Sequence, residues 1–154
     1  MAKFINYRSD LSGDEKVLMA IVRAAETFKR VVSTLFRKYN LSFPQYNILR
    51  VLDASTDGQS RITEVSRIML VSSANMTGLA KRLEKSGFLA RKSEPRDERV
   101  TLLEITPKGK STLADIELKR DALLEKMLKG FMEKEKKEMM ILVRRILRNA
   151  RQMG

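Results

Sequence analysis

The chain has 154 residues, of which 43% are hydrophobic and 32% charged, enough for one compact domain with helical extensions and a poor match to long disorder. Its 31 Lys and Arg against 19 Asp and Glu give a net charge of +12, which attracts polyanions, nucleic acid or anionic membrane, without choosing between them. The absence of Cys and His excludes disulfides, thiol redox sensing and thiolate or imidazole metal sites, and removes the usual base of triad catalysis.

In chain order, a polar start from Ser9 to Glu15 gives way to apolar residues at Leu18, Ile21, Ala25, Phe28, Val32, Leu35 and Tyr39. Steps of three and four describe one face of a long helix, which Asn40 stops. A second helix begins near Phe43-Pro44, carries Tyr46, Ile48, Leu49 and Leu52, and ends in Ser55-Thr56-Asp57-Gly58. A short third helix runs from about Ile62 to Met69, with Ser60 or Arg61 at an untidy cap. After Leu70-Val71-Ser72, a Ser cap opens a fourth helix that ends at Gly87.

The period then changes. Residues 88–93 and 100–105 read as two short strands, separated by the charged turn 94–99. Thr106-Pro107 starts a long helix to Lys129-Gly130, and a last helix from Glu133 to about Arg151 is expected to bury Met139, Leu142, Val143, Ile146, Leu147 and Ala150. The expected fold is mainly α with a small β-wing. Three regions are expected: 1–43 and 107–154 as long flanking helices, and 44–106 as the compact centre. The flanking helices carry more apolar surface than that centre can cover. Met1 to Arg8 lack a signal peptide's apolar run, and the longest unbroken apolar stretch, Met139 to Val143, is too short to span a bilayer, so a cytoplasmic protein off the membrane is expected.

The third and fourth helices, joined by a tight turn, form a helix-turn-helix arrangement, whose second helix lies in a major groove. Leu79, Leu83 and Met76 would face the core; Ser73, Ala74, Asn75, Thr77, Gly78, Lys81 and Arg82 would face outward. Asn pairs bidentately with adenine, Ser and Thr bond bases or phosphate, and Ala meets a thymine methyl. An ordinary surface helix has the same composition, so this stretch alone leaves both readings open. The hairpin adds Arg96 and Arg99 around Asp97-Glu98 at a stiff tip, and a projected Arg suits the negative potential of a minor groove. Asp97 would hold the loop by pairing with Arg99 or a nearby backbone amide. A plain polar turn remains the competing reading.

Val71-Ser72, Thr77, Leu83 through Arg91, Asp97-Glu98-Arg99 and Leu103 through Gly109, in this order and spacing, resemble the multiple-antibiotic-resistance regulator (MarR) family of winged helix-turn-helix proteins. Ser42-Phe43-Pro44-Gln45-Tyr46 is similar to that family's second-helix entry, and the likeness covers roughly residues 14 to 151. Ser66 and Leu70 depart from it, standing where Ala and Gly are usual; Leu70 must close the turn without glycine's freedom.

The resemblance implies a homodimer with interlocking terminal helices. It also implies a pseudo-palindromic operator on double-stranded DNA, repression, and in many members release by a small organic ligand. Matching positions put Ser73, Asn75, Met76 and Thr77 at bases or groove, Lys81 and Arg82 at phosphate, and Arg99 in the minor groove with Asp97 as support. With Ser72 and Arg96 these make up the expected DNA-binding set. No catalysis, cofactor or metal is expected. A pocket near the first two helices would draw on Phe28, Phe36, Phe43, Tyr46 and Met residues meeting Arg or Lys, although aromatic and Met side chains at helical spacing are more often core.

Three other readings stand beside this one: a winged-helix protein-docking module, a non-specific architectural DNA-binding protein, and a membrane-surface protein. The basic outer face at Lys81, Arg82, Arg91, Lys92, Arg96 and Arg99 argues against the first. Arg144, Arg145, Arg148 and Arg151 on the last helix prompt the third, and contact with flanking DNA phosphates is the expectation set against it.

Overall fold

The computed structural model describes residues 10–154, so the expectations drawn from Met1 to Ser9 lie outside the described residues. Helix α1 spans Gly13–Arg37; the Ser12 side chain accepts from the Glu15 amide, and Asp14 and Glu15 complement the helix dipole. Asn40 takes a positive φ just beyond it. Helix α2, Phe43–Asp53, opens on a reciprocal capping box. The Ser42 amide donates to Gln45 Oε1 at 2.9 Å and the Gln45 amide donates to Ser42 Oγ at 3.3 Å.

A single 3-10 turn, Thr56–Gly58, then leads into a three-residue strand β1, Gln59–Arg61, which the sequence reading did not include. Three polar residues offer no alternation to read. What makes them a strand is pairing with Leu102 to Glu104. Helix α3, Ile62–Met69, has no side-chain cap, and helix α4, Ser73–Lys85, is capped by Ser72. Strands β2, Leu89–Glu94, and β3, Asp97–Ile105, complete an antiparallel sheet in the order β1-β3-β2. Strand β3 begins earlier than predicted, so the charged turn contracts to Pro95 and Arg96, and Asp97 and Arg99 belong to the strand. Helix α5 is Pro107–Met127 and helix α6 Glu133–Arg151.

The chain divides into two compact units, Met1–Arg120 and Asp121–Gly154. The division falls inside α5. Val32, Leu35 and Phe36 at the end of α1, and Leu113 and Ile116 of α5, are buried in the same way as the central helices. Ile48, Leu49, Leu52, Val65, Met76, Leu83 and Leu103 are wholly inaccessible in that first unit. Aromatic packing supports it: Phe36 stacks on Tyr46 at 3.9 Å, and Phe28 meets Phe43 edge-on at 5.9 Å. Of the predicted pocket aromatics, Phe36 and Tyr46 are therefore core.

In the second unit α6 buries no residue. Met139, Leu142, Val143 and Leu147, expected inside, are exposed, as is Ala150, while Ile146 is half-buried. An amphipathic helix covers its apolar stripe only against another apolar surface, and the stripe of α6 is left exposed. The front of α1 shares this property, with Val17, Leu18, Met19 and Val22 exposed.

Candidate nucleic-acid interface

Helix α3 ends on Leu70, whose φ of 53° and ψ of 43° are left-handed. The Leu70 and Val71 amides donate to the carbonyls of Arg67 at 3.3 Å and Ser66 at 3.1 Å, which satisfies the helix end. The turn thus takes the glycine-type geometry despite carrying leucine, at a cost of about 1–2 kcal/mol. Two residues later the Ser72 side chain accepts from the Asn75 amide at 3.4 Å and starts α4.

Within α4 the burial alternates as a groove-binding helix requires. Met76, Ala80 and Leu83 are buried, while Ser72, Ser73, Asn75, Thr77, Lys81 and Arg82 are exposed on the other side. Met76 is a correction to the expected contact set. Its side chain is 0% exposed, and the i, i+4, i+7 series with Ala80 and Leu83 directs it into the core, where no base can be reached. Leu79, expected in the core, is only half-buried, and Ala80 takes its place there. Thr77 Oγ1 donates to the Ser73 carbonyl at 3.0 Å and Arg82 Nε to the Gly78 carbonyl at 3.3 Å, so both side chains lie along their own helix.

The wing is tied to this helix from its base. Gly87, at φ 78°, lets the Phe88 amide turn back to the Leu83 carbonyl at 3.0 Å. Glu84 Oε2 then accepts from Arg91 Nε at 2.7 Å, linking the last turn of α4 to β2. That hydrogen bond holds the Glu84 carboxyl below the usual carboxylate range. Thr106 Oγ1 donates to the Gly87 carbonyl at 2.6 Å and accepts from the Gly109 amide at 3.1 Å. Gly109 has no room for a side chain: a Cβ there would lie 2.4 Å from the Phe88 carbonyl oxygen. Lys108 closes the knot by donating to the Ser86 carbonyl at 2.7 Å.

Farther out, Arg61 Nη2 donates to Glu94 Oε1 at 2.8 Å and joins β1 to the outer end of β2. That bond raises the Arg61 pKa above its ordinary value. Lys92 pairs with Glu104 across the ribbon. At the tip the Arg99 amide donates to Asp97 Oδ1 at 3.0 Å, so of the two partners expected for Asp97 the backbone one is present. Arg96, Asp97 and Arg99 are exposed. Arg91 and Lys92, counted in the basic outer face, are engaged with carboxylates, Lys92 while still exposed, and Lys81, Arg82, Arg96 and Arg99 are the other exposed cations of that set.

A cleft of about 770 Å³ lies among α1, α2 and the end of α3. Ser33, Phe43, Asn47, Ile68, Met69 and Val71 line it, with Lys29 and Arg50 as its cations. Of the four aromatic residues proposed from sequence, it includes Phe43 alone. The rest of its wall mixes polar residues with Val51, Ile68, Met69 and Val71 from separate elements, which no local pattern groups together. Its floor reaches both sides of the α3–α4 turn.

A reading helix presented by a short turn, followed by an arginine-tipped hairpin, defines a winged helix-turn-helix regulator. The comparisons give the family. Residues 30–116 match the model of the transcriptional regulators SarA/Rot, and the chain belongs to this MarR-like family. It is 34% identical over 97 residues to the HTH-type transcriptional regulator TtmR of Methylorubrum extorquens, covering 63% of this chain and 49%, about half, of that relative. It is 30% identical over 117 residues to the HTH-type transcriptional regulator YfiV of Bacillus subtilis, covering 74% of this chain and 72% of the other.

Solved structures agree on the fold. AbsC, a MarR family regulator from Streptomyces coelicolor, superposes with a TM-score of 0.84 at 15% identity, covering 92% of this chain and 97% of that one. Sco3205 from the same organism, solved in complex with DNA, superposes with a TM-score of 0.83 at 19% identity, covering 94% and 92%.

Proposed function

We propose that the chain is a homodimeric, sequence-specific repressor of transcription, acting in the cytoplasm on a pseudo-palindromic operator and carrying out no catalysis. The observation that carries this reading is the division of labour on α4. One side is sealed into the core while Ser73, Asn75, Thr77, Lys81 and Arg82 stand exposed beside a hairpin whose tip is shaped by Asp97. The Asp97 contact fixes the Arg99 backbone at the tip, which leaves less to order when the wing meets DNA. The DNA-bound state of the relative Sco3205 supports the same use of this fold.

The uncovered stripes of α1 and α6 supply the apolar area a second copy would bury, which supports the homodimer. The two copies present two reading helices, which a two-fold operator matches. The cleft beside the α3–α4 turn supports release by a small organic effector, since a ligand there would bear on the segment that sets the pitch of α4. Flanking-phosphate contacts remain the proposed role of Arg148 and Arg151.

The test is fluorescence anisotropy of the full chain with its own upstream intergenic DNA and with a scrambled duplex, across a salt series. Preference for its own sequence, with two protomers per site, supports the repressor reading. Equal and steeply salt-dependent binding to both favours a non-specific architectural protein driven by the +12 charge. No binding at low salt leaves a protein-docking module. Asn75→Ala should relax sequence preference at one position per half-site by about 1–3 kcal/mol.

A further inference from the structure

Leu70 closes α3 at two costs that the cap hydrogen bonds of the Leu70 and Val71 amides do not require of a leucine. Its backbone is left-handed at φ 53°, and its side chain is 83% exposed. Among the described residues, the other non-glycine positions with positive φ are Asn40 and Asp57, whose short polar side chains suit that region. Glycine would relieve the backbone at position 70, and asparagine would relieve it while removing the exposed apolar surface. A residue held in an unfavourable conformation points to a role outside the fold.

The location narrows that role. Leu70 caps α3 two residues before Ser72, the cap of α4, so chain geometry keeps its Cα within about 8 Å of that cap, next to the end of α4 that bears Ser73, Asn75 and Thr77. Met69 and Val71 line the cleft on either side of it, whereas Leu70 does not, and its side chain is turned to solvent.

We infer that Leu70 is a specificity-determining residue of the DNA interface, its isobutyl group packing on the 5-methyl of a thymine at the edge of the major groove. The inference rests on the operator-binding reading above. The thymine methyl is the apolar feature of the major-groove edge, and Leu70 presents a larger exposed apolar group to it than Ala74, whose exposed neighbours on α4 are Ser73, Asn75 and Thr77.

The experiment uses the full chain and a duplex recovered by selection from a randomised pool. Each thymine of that duplex is replaced in turn by uracil, which removes only the methyl. The wild-type chain should lose about three- to fivefold in affinity at one thymine per half-site, the value of one buried methyl. Leu70→Gly and Leu70→Asn should bind more weakly by the same factor and be indifferent to uracil at that position, while their unfolding midpoints stay equal or rise. Leu70→Met, which keeps an apolar chain, should retain the response to uracil. A merely structural role would move stability and affinity together. Selection of a sequence by the wild type, with no thymine at which the uracil and Leu70 effects coincide, overturns the inference and leaves the operator reading intact. A change in association state on Leu70→Gly overturns it in favour of a contact between copies. No enrichment of any sequence overturns both.

Discussion

The two units of the chain differ in where their apolar surface goes. Met1–Arg120 closes on itself through α2, α3, α4 and the sheet, with side-chain and backbone hydrogen bonds tying each junction. Asp121–Gly154 carries α6 with a full apolar stripe and no buried residue. The first unit buries its core on its own contacts, while the last helix leaves its apolar stripe exposed. The same logic runs within α1, whose end is core and whose beginning is bare.

The strongest attack on that contrast is Gly109→Ala. The Phe88 carbonyl would stand 2.4 Å from the new Cβ, so α5 must move away from β2 and the thermal or urea midpoint should fall by about 2–3 kcal/mol or more. Next comes Leu142→Asp on α6. The first unit should keep its core, while self-association, read by sedimentation or light scattering, should weaken by about 2 kcal/mol or more if the exposed stripe is the surface between copies. An unchanged mass at equal concentration would remove α6 from the interface.

Arg99→Ala probes the surface alone. Its side chain is exposed at the wing tip, so the unfolding midpoint should hold while operator affinity falls by about 1–3 kcal/mol. The smallest effect belongs to Glu84→Gln. Because Arg91 lowers the folded pKa of Glu84, its contribution is full above the ordinary carboxylate value of 4.5 and disappears as pH falls through the lower folded value. The variant should therefore show a slightly lower midpoint at neutral pH, converging on wild type in acid. Equal midpoints at every pH would mean the link sets wing direction without adding stability.

Helix existence and order were legible because most helices carry their own period and a local start signal: Pro44 in the first turn of α2, the Ser72 cap of α4 and Thr106-Pro107 before α5, while α3 has no side-chain cap. Strand β1 was not, since Gln59 to Arg61 become a strand only by pairing with residues more than forty positions away. The wing residues were readable, but their state was not. Arg91 and Lys92 look like open cations until Glu84 and Glu104 are found opposite them.

By itself, the sequence determined the helix-turn-helix order, the polar and basic face of α4, the support of Asp97, and the exclusion of cysteine and histidine chemistry. Those are properties of local spacing and residue type. Only the tertiary structure decided that Met76 is core rather than contact, that Leu70 holds a left-handed turn while largely exposed, and that a cleft forms behind that turn. Burial, strain and cavities depend on which distant segments pack together, and periodicity along one helix carries no record of its neighbours.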